Sequence, residues 1–188
     1  MANLESHYGL GTILSAPGPK EWAGYTGSLQ GFVSRTSRYA ASGYTITVLT
    51  NAQDGFSWVW ADGIESILEA FKTHGAPGRK EAAWTGRWWS TWGAVDLVPM
   101  GQLVQIVNPA MFPPLDGTTG QAVVTGKDKG LISRTSGYNS PGQGVRMVRN
   151  GRGKVVEVWI AAGKWMSREA IVREATARYK PARSRKPA

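Results

Sequence analysis

Over the first fifty residues apolar and polar positions alternate in short runs, each broken by Gly or Pro. Tyr8 to Leu14 predicts a strand, ended by Ser15-Ala-Pro-Gly-Pro19, where proline removes donors and fixes backbone angles. Glu21 to Ser28 predicts a second, Gly-rich strand, and Phe32 to Tyr39 a third after Gly31. Ala40-Ala-Ser-Gly43 turns the chain into Tyr44-Thr-Ile-Thr-Val-Leu-Thr50, the strongest strand pattern present because it is almost wholly β-branched or aromatic. Asn51-Ala-Gln-Asp-Gly55 closes it. The period then changes. Trp60, Ile64, Ile67, Leu68 and Phe71 recur at three and four residues with Asp62, Glu65 and Glu69 between them. This predicts an amphipathic helix from about Ser57 to Thr73, with Ser57 or Asp54 as its cap and Gly75 and Pro77 as its stop. The apolar stripe is expected to be core.

His74 to Glu81 has the composition of a linker. Beyond it the pattern is nearly all β: Trp84–Trp89, Val95–Val98, Leu103–Val107, Ala122–Val124, Leu131–Thr135, Val145–Arg149 and Lys154–Trp159 are short runs parted by Gly, Pro, Asn and Asp. Arg149-Asn-Gly-Arg152 carries the strongest hairpin signal. Seven or eight short strands at this spacing predict a small barrel or sandwich, closed by a helix from a Ser167 cap to about Arg178. The fold class expected is therefore α+β, in four stretches: 1–74, a linker over 75–82, a mostly-β domain over 83–178 and a basic disordered tail over 179–188.

Charge sharpens the division. Residues 1–74 hold four bases against six acids, whereas residues 75–188 hold eighteen against seven. Five of those bases (Arg178, Lys180, Arg183, Arg185, Lys186) fall in the last eleven residues. A short basic end gives only weak, salt-sensitive attraction for nucleic acid, so a solubilising tail is the expectation. With no cysteine and two distant histidines, His7 and His74, disulfide scaffolds, thiolate nucleophiles and Cys- or His-rich metal sites are excluded. No apolar run is long enough to span a membrane. Met1 to His7 lacks a basic segment followed by an apolar one, so no signal peptide is visible and a cytoplasmic location is the default expectation.

The parts of a covalent catalyst are missing. No lysine has Ser or Thr three residues before it, and there is no Gly-x-Ser-x-Gly, Tyr-x-Asn, Ser-x-Asn, His-Glu-x-x-His or P-loop. What the chain does contain is Trp22-Ala-Gly-Tyr-Thr-Gly-Ser-Leu-Gln-Gly-Phe-Val-Ser34. This stretch resembles the third active-site element of serine β-lactamase-related hydrolases, the group that takes in class C β-lactamases, D-Ala-D-Ala carboxypeptidases and related esterases. Members carry Lys-Thr-Gly or His-x-Gly there, with Gly-Phe and a Ser downstream. Tyr25-Thr26-Gly27 falls on the triplet, Gly31-Phe32 on the Gly-Phe pair and Ser34 on the serine. Tyr8-Gly-Leu-Gly11 is similar to the family's upstream strand, and Tyr44 to Asn51 to the Val-Val-Leu-Thr-Asn strand before its C-terminal helix. The resemblance covers about residues 5–73 by order and spacing. Trp84-Thr-Gly-Arg-Trp-Trp89, Gly137 to Gly142, Val145 to Arg149 and Val155 to Trp159 look like the lipocalin-like β domain that comes after the hydrolase domain in many members.

The resemblance implies acyl-serine formation and hydrolysis of an ester, amide or lactam, with no metal and no cofactor. It implies that the Ser28 backbone N–H is one of two oxyanion donors, and losing such a donor costs on the order of 3 kcal/mol of transition-state stabilisation. The Thr26 hydroxyl would orient a substrate carboxylate. Tyr25 stands where relatives have Lys or His, which points to an esterase or peptidase relative. The Ser-x-x-Lys nucleophile and Tyr-x-Asn of the family precede the part matched here, so the chain is expected to be inactive alone and to need an N-terminal hydrolase half or self-association. The alternative expectation is a non-enzymatic barrel that binds a small ligand or partner, in which Trp84, Trp88, Trp89, Trp92, Trp159 and Trp165 line a pocket; filling a small core is the simpler role for them. A half-sheet without its partners exposes an edge and an apolar face. Limited proteolysis is therefore expected to leave a resistant core beginning near residue 80; a core beginning near residue 5 would overturn the division.

Overall fold

The computed structural model describes residues 7–15, 20–111, 115, 119–137 and 139–179. The tail expected over 179–188 lies outside them except for Tyr179, as do residues 1–6. The chain forms two compact units that part between Gly75 and Ala76.

The first unit is a five-stranded antiparallel sheet, β1 (His7–Gly9), β2 (Thr12–Leu14), β3 (Trp22–Leu29), β4 (Phe32–Tyr39) and β5 (Thr45–Thr50), in sequence order, followed by α1 (Ser57–His74). Tyr8 to Leu14 is not one strand. Leu10 and Gly11 both adopt positive φ, 50° and 75°, and fold the stretch into a two-residue hairpin. β3 and β4 pair along their whole length, Trp22 opposite Tyr39 through Leu29 opposite Phe32. A Cβ at residue 24 would collide with the Thr36 carbonyl oxygen, so glycine is required there.

Helix α1 lies on β4 and β5, but the other way round from the sequence expectation. Its buried residues are Ser57, Ala61, Glu65 and Ser66, while the apolar stripe faces outward, Trp60 being 60% exposed and Phe71 40%. The cause is a polar seam under the helix. The Tyr39 hydroxyl donates to Asp62 Oδ1 (2.6 Å), and the guanidinium of Arg35, itself stacked 3.6 Å over Trp22, lies 3.7 Å from the same oxygen. Lys20 bonds Ser66 and Glu65, the latter at 3.0 Å. The apolar remainder is small: Tyr39, Ile46 and Ala61, with Trp22, Tyr44 and Val48 against them. Neither expected cap operates. Phe56, at φ 44°, precedes the helix without a side-chain cap, and Ser57 is its first residue.

The second unit is a closed eight-stranded antiparallel barrel: β6 (Gly86–Ser90), β7 (Gly93–Met100), β8 (Leu103–Val107), β9 (Gly120–Gly126), β10 (Lys129–Arg134), β11 (Gly144–Arg149), β12 (Val155–Ile160) and β13 (Gly163–Met166). Each strand pairs with the next, and β13 returns to β6 through Met166 opposite Trp89. β13 was not expected from the sequence. The stretch expected as a linker carries a helical turn, α2 (Arg79–Ala82), and α3 (Arg168–Arg178) ends the described chain with Ser167 as cap, its hydroxyl accepting from the Ala170 N–H at 3.2 Å. Inward-facing Trp84, Leu97, Val104, Ile132, Val145 and Val158 fill the barrel.

The seam under α1 has a pH signature. Burial first, and then the bond to Asp62, raise the Tyr39 hydroxyl above its ordinary value of 10.0. The neutral phenol is thus favoured in the folded state, and the stability it contributes is complete below pH 10 and falls as the unfolded chain ionises above it. Tyr39→Phe is expected to cost about 1–3 kcal/mol in urea unfolding at pH 8, and the gap from wild type should narrow as pH rises past 10.

Candidate functional site

The four residues expected to form the site, Tyr25, Thr26, Gly27 and Ser28, are consecutive in β3. β2 reaches only Ala23 and Gly24, through Leu14 and Ile13. Past Gly24, no strand among the described residues pairs with β3 on that side, so Tyr25 to Leu29 form an open edge.

The direction of the backbone groups is set by the ladder. The Tyr39 N–H donates to the Tyr44 carbonyl, so residues 33, 35, 37 and 39 bond towards β5, and alternation turns residues 32, 34, 36 and 38 towards β3. In β3 the partners of those residues, Tyr25 and Gly27 among them, spend their backbone groups on β4. Trp22, Gly24, Thr26 and Ser28 point theirs the other way. The Trp22 carbonyl confirms the sense by accepting from the Ser15 N–H at 2.9 Å. Thr26 and Ser28 therefore present their backbone N–H and C=O groups to the open edge.

Side chains divide by face. Thr26 and Ser28 lie opposite Arg35 and Val33, on the side that α1 covers further along the sheet, and both are exposed. Tyr25 projects from the strand half exposed, its ring 6.3 Å from that of Tyr8 and tilted by 48°. Gly27 lies opposite Ser34, whose hydroxyl occupies the space a Cβ would take. Gln53, read in the sequence only as part of a turn, holds the end of the hairpin: its Nε2 donates to Ser28 Oγ (2.9 Å) and its Oε1 accepts from the Gly31 N–H (3.2 Å). Ser28, Leu29, Gln30, Gly31 and Gln53 line a shallow open depression there.

The barrel distributes its tryptophans rather than gathering them. Trp84 is buried in the core and Trp88 and Trp165 pack against it, whereas Trp92 is 93% exposed. Trp159 projects outward beneath the guanidinium of Arg146. Among the described residues there is no group of three or more His, Cys, Asp or Glu that could hold a metal ion, and no helix is long and apolar enough to cross a membrane.

No family model matches the chain, and no curated protein matches it. The solved structures similar to the chain at a low level include the following two. One is a crystal structure of SurE with D-Leu, at a TM-score of 0.35 and 14% identity, covering 85% of this chain and 38% of the other. The second is an octameric penicillin-binding protein homologue from Pyrococcus abyssi, at a TM-score of 0.32 and 15% identity, covering 86% and 37%. This chain thus spans a little over a third of either protein.

Proposed function

We propose that residues 1–74 are the C-terminal segment of a serine β-lactamase-related hydrolase domain, that residues 83–178 are its lipocalin-like accessory domain, and that the chain contributes a substrate-docking edge to an acyl-serine hydrolase. One observation carries the reading: the strand whose sequence resembles the family's third motif ends as an open edge, with the backbone of Thr26 and Ser28 directed outward. An extended acyl or peptidyl substrate would add to that edge as a further strand. The Ser28 N–H would be one donor to the oxyanion of an ester, amide or lactam under attack, and Thr26 would orient a carboxylate beside it. Gln53 keeps the Ser28 end in place.

The nucleophile and its base would come from outside this chain, on an N-terminal hydrolase half or a second copy. The outward stripe of α1 (Trp60, Ile64, Ile67, Phe71) supplies apolar surface for such a partner, and so do Leu29, Phe32 and Leu49 on the sheet.

Two measurements test this. Amide exchange is expected to be fast at Thr26 and Ser28 and slow at Tyr25 and Gly27; uniform protection from Tyr25 to Ser28 would remove the docking edge. The intact mass of the protein in its native cells, with the coding sequence ahead of Met1, tests the hydrolase assignment. A mass well above 20.3 kDa with Ser-x-x-Lys and Tyr-x-Asn in frame supports it. A mass of 20.3 kDa with neither motif nearby overturns it in favour of a binding module.

A further inference from the structure

A second feature lies wholly on the barrel, on its outer surface, and does not depend on the hydrolase reading. Lys129 of β10 stands directly opposite Arg146 of β11. The Met147 N–H donates to the Asp128 carbonyl and the Ile132 N–H to that of Gln143. Lys129 and Arg146 therefore form one of the closer, non-hydrogen-bonded pairs of the ladder. Like charges directly opposite each other in a sheet are destabilising, and among the described residues neither of these two forms an ion pair within 4.0 Å. Asp128 pairs with Arg149 (2.8 Å), Glu174 with Lys164 and Arg178, and Glu157 accepts from the indole N–H of Trp159 (3.2 Å). Asp128 is the only acid between Thr125 and Val156.

The two cations also border a concavity. Lys129, Leu131, Gly144, Arg146, Ala161 and Ala162 line a groove of about 560 Å³, within the size range of small-molecule sites. Residue 144 leaves its part of the groove clear: a Cβ there would meet nothing within 4 Å. Arg146 lies over Trp159, with its guanidinium carbon 4.6 Å from the centre of the ring, a contact that limits the freedom of its long side chain.

We propose that this groove binds a small amphiphilic anion, with a carboxylate or phosphate head between Lys129 and Arg146 and a short apolar body along Leu131, Gly144 and the two alanines. Two unpaired cations match a ligand of one or two charges. They are too few for nucleic acid, whose affinity grows with the number of phosphates neutralised.

Calorimetric titration of the full chain with octanoate, octyl phosphate, inorganic phosphate and an oligo(dT) strand tests this. At least one amphiphile is expected to saturate with a dissociation constant on the order of 0.1 to 1 mM, and the tighter of the two identifies the head group. Arg146→Gln and Lys129→Gln should each weaken it about tenfold or more, as expected for loss of a charge-assisted contact. Gly144→Leu, which fills the groove from open space, should abolish it, and Arg87→Gln, on β6 and outside the groove, should leave it unchanged. The proposal is overturned by the absence of saturable binding, by binding indifferent to Arg146→Gln and Gly144→Leu, by inorganic phosphate binding as tightly as the amphiphiles, or by oligo(dT) binding that those same variants remove. The glutamine variants leave the groove's shape intact, so they decide the matter even if Gly144→Leu fails to fold.

Discussion

Asp62 determines the form of the first unit. Its carboxylate accepts from Tyr39 and faces Arg35, and its own carbonyl accepts from Ser66 one turn on. Tyr39 is 1% exposed and Arg35 6%, so once α1 is on the sheet each of these polar groups needs its partner. Rotating the helix to bury Trp60, Ile64, Ile67 and Phe71 would gain apolar contact, but it would strand Tyr39 and Arg35 beneath a hydrocarbon surface. A hydrogen bond to a charged group contributes about 1.5–3 kcal/mol, and breaking a buried charged pair costs more than the pair contributes. The polar side of α1 wins the sheet, and the apolar side stays available to something else.

The two units deal with strand edges in opposite ways. The barrel removes its edges by closing, with a single pair, Met166 opposite Trp89, completing the ring of eight strands. Its surface can then carry unusual pairs such as Lys129 and Arg146 because the interior, from Trp84 to Ile160, supplies the stability. The sheet of the first unit keeps its edges. β2 is three residues long and meets β3 only at Ala23 and Gly24, so among the described residues the five from Tyr25 to Leu29 have no strand beside them on that side. A long bare edge is a hazard that proteins ordinarily cover or charge. Here the bare residues are Tyr, Thr, Gly, Ser and Leu, without a charge among them.

Much of this was legible in the chain. β4 and β8 begin and end where alternation between glycine-marked turns puts them, and the Ser167 cap fixes α3. What the sequence hid has particular causes. The break at Leu10 and Gly11 requires a leucine at positive φ, which propensity argues against. The Asn150 signal is a turn, but it runs to Lys154 and takes its positive φ at Gly153 rather than Gly151. In α1 the 3.6-residue period gave the helix correctly and its buried face wrongly, because periodicity finds the apolar side and cannot weigh Tyr39 and Arg35 on another strand. The Tyr25–Ser28 strand was visible in its glycines. That its edge is open depends on the length of β2, and its bracing depends on Gln53, twenty-five residues from Ser28.

The glycines of β3 show how local weakness and exposure fit together. Glycine lowers the stability of a strand by giving up side-chain contacts and ordering a freer backbone. Gly24 is nevertheless forced by the Thr36 carbonyl, so there the backbone of β3 is drawn tight against β4, while at Gly27 it is the Ser34 hydroxyl that fills the space of a Cβ. The strand is thus anchored on one side along its full length, from Trp22 to Leu29, and fixed at its end by Gln53. Only such a strand can leave its other side unpaired and still hold the Thr26 and Ser28 amides in a set direction. On the proposed docking-edge reading, an incoming chain would meet donors and acceptors already in register, and the ordering cost of docking would fall mainly on the incoming partner.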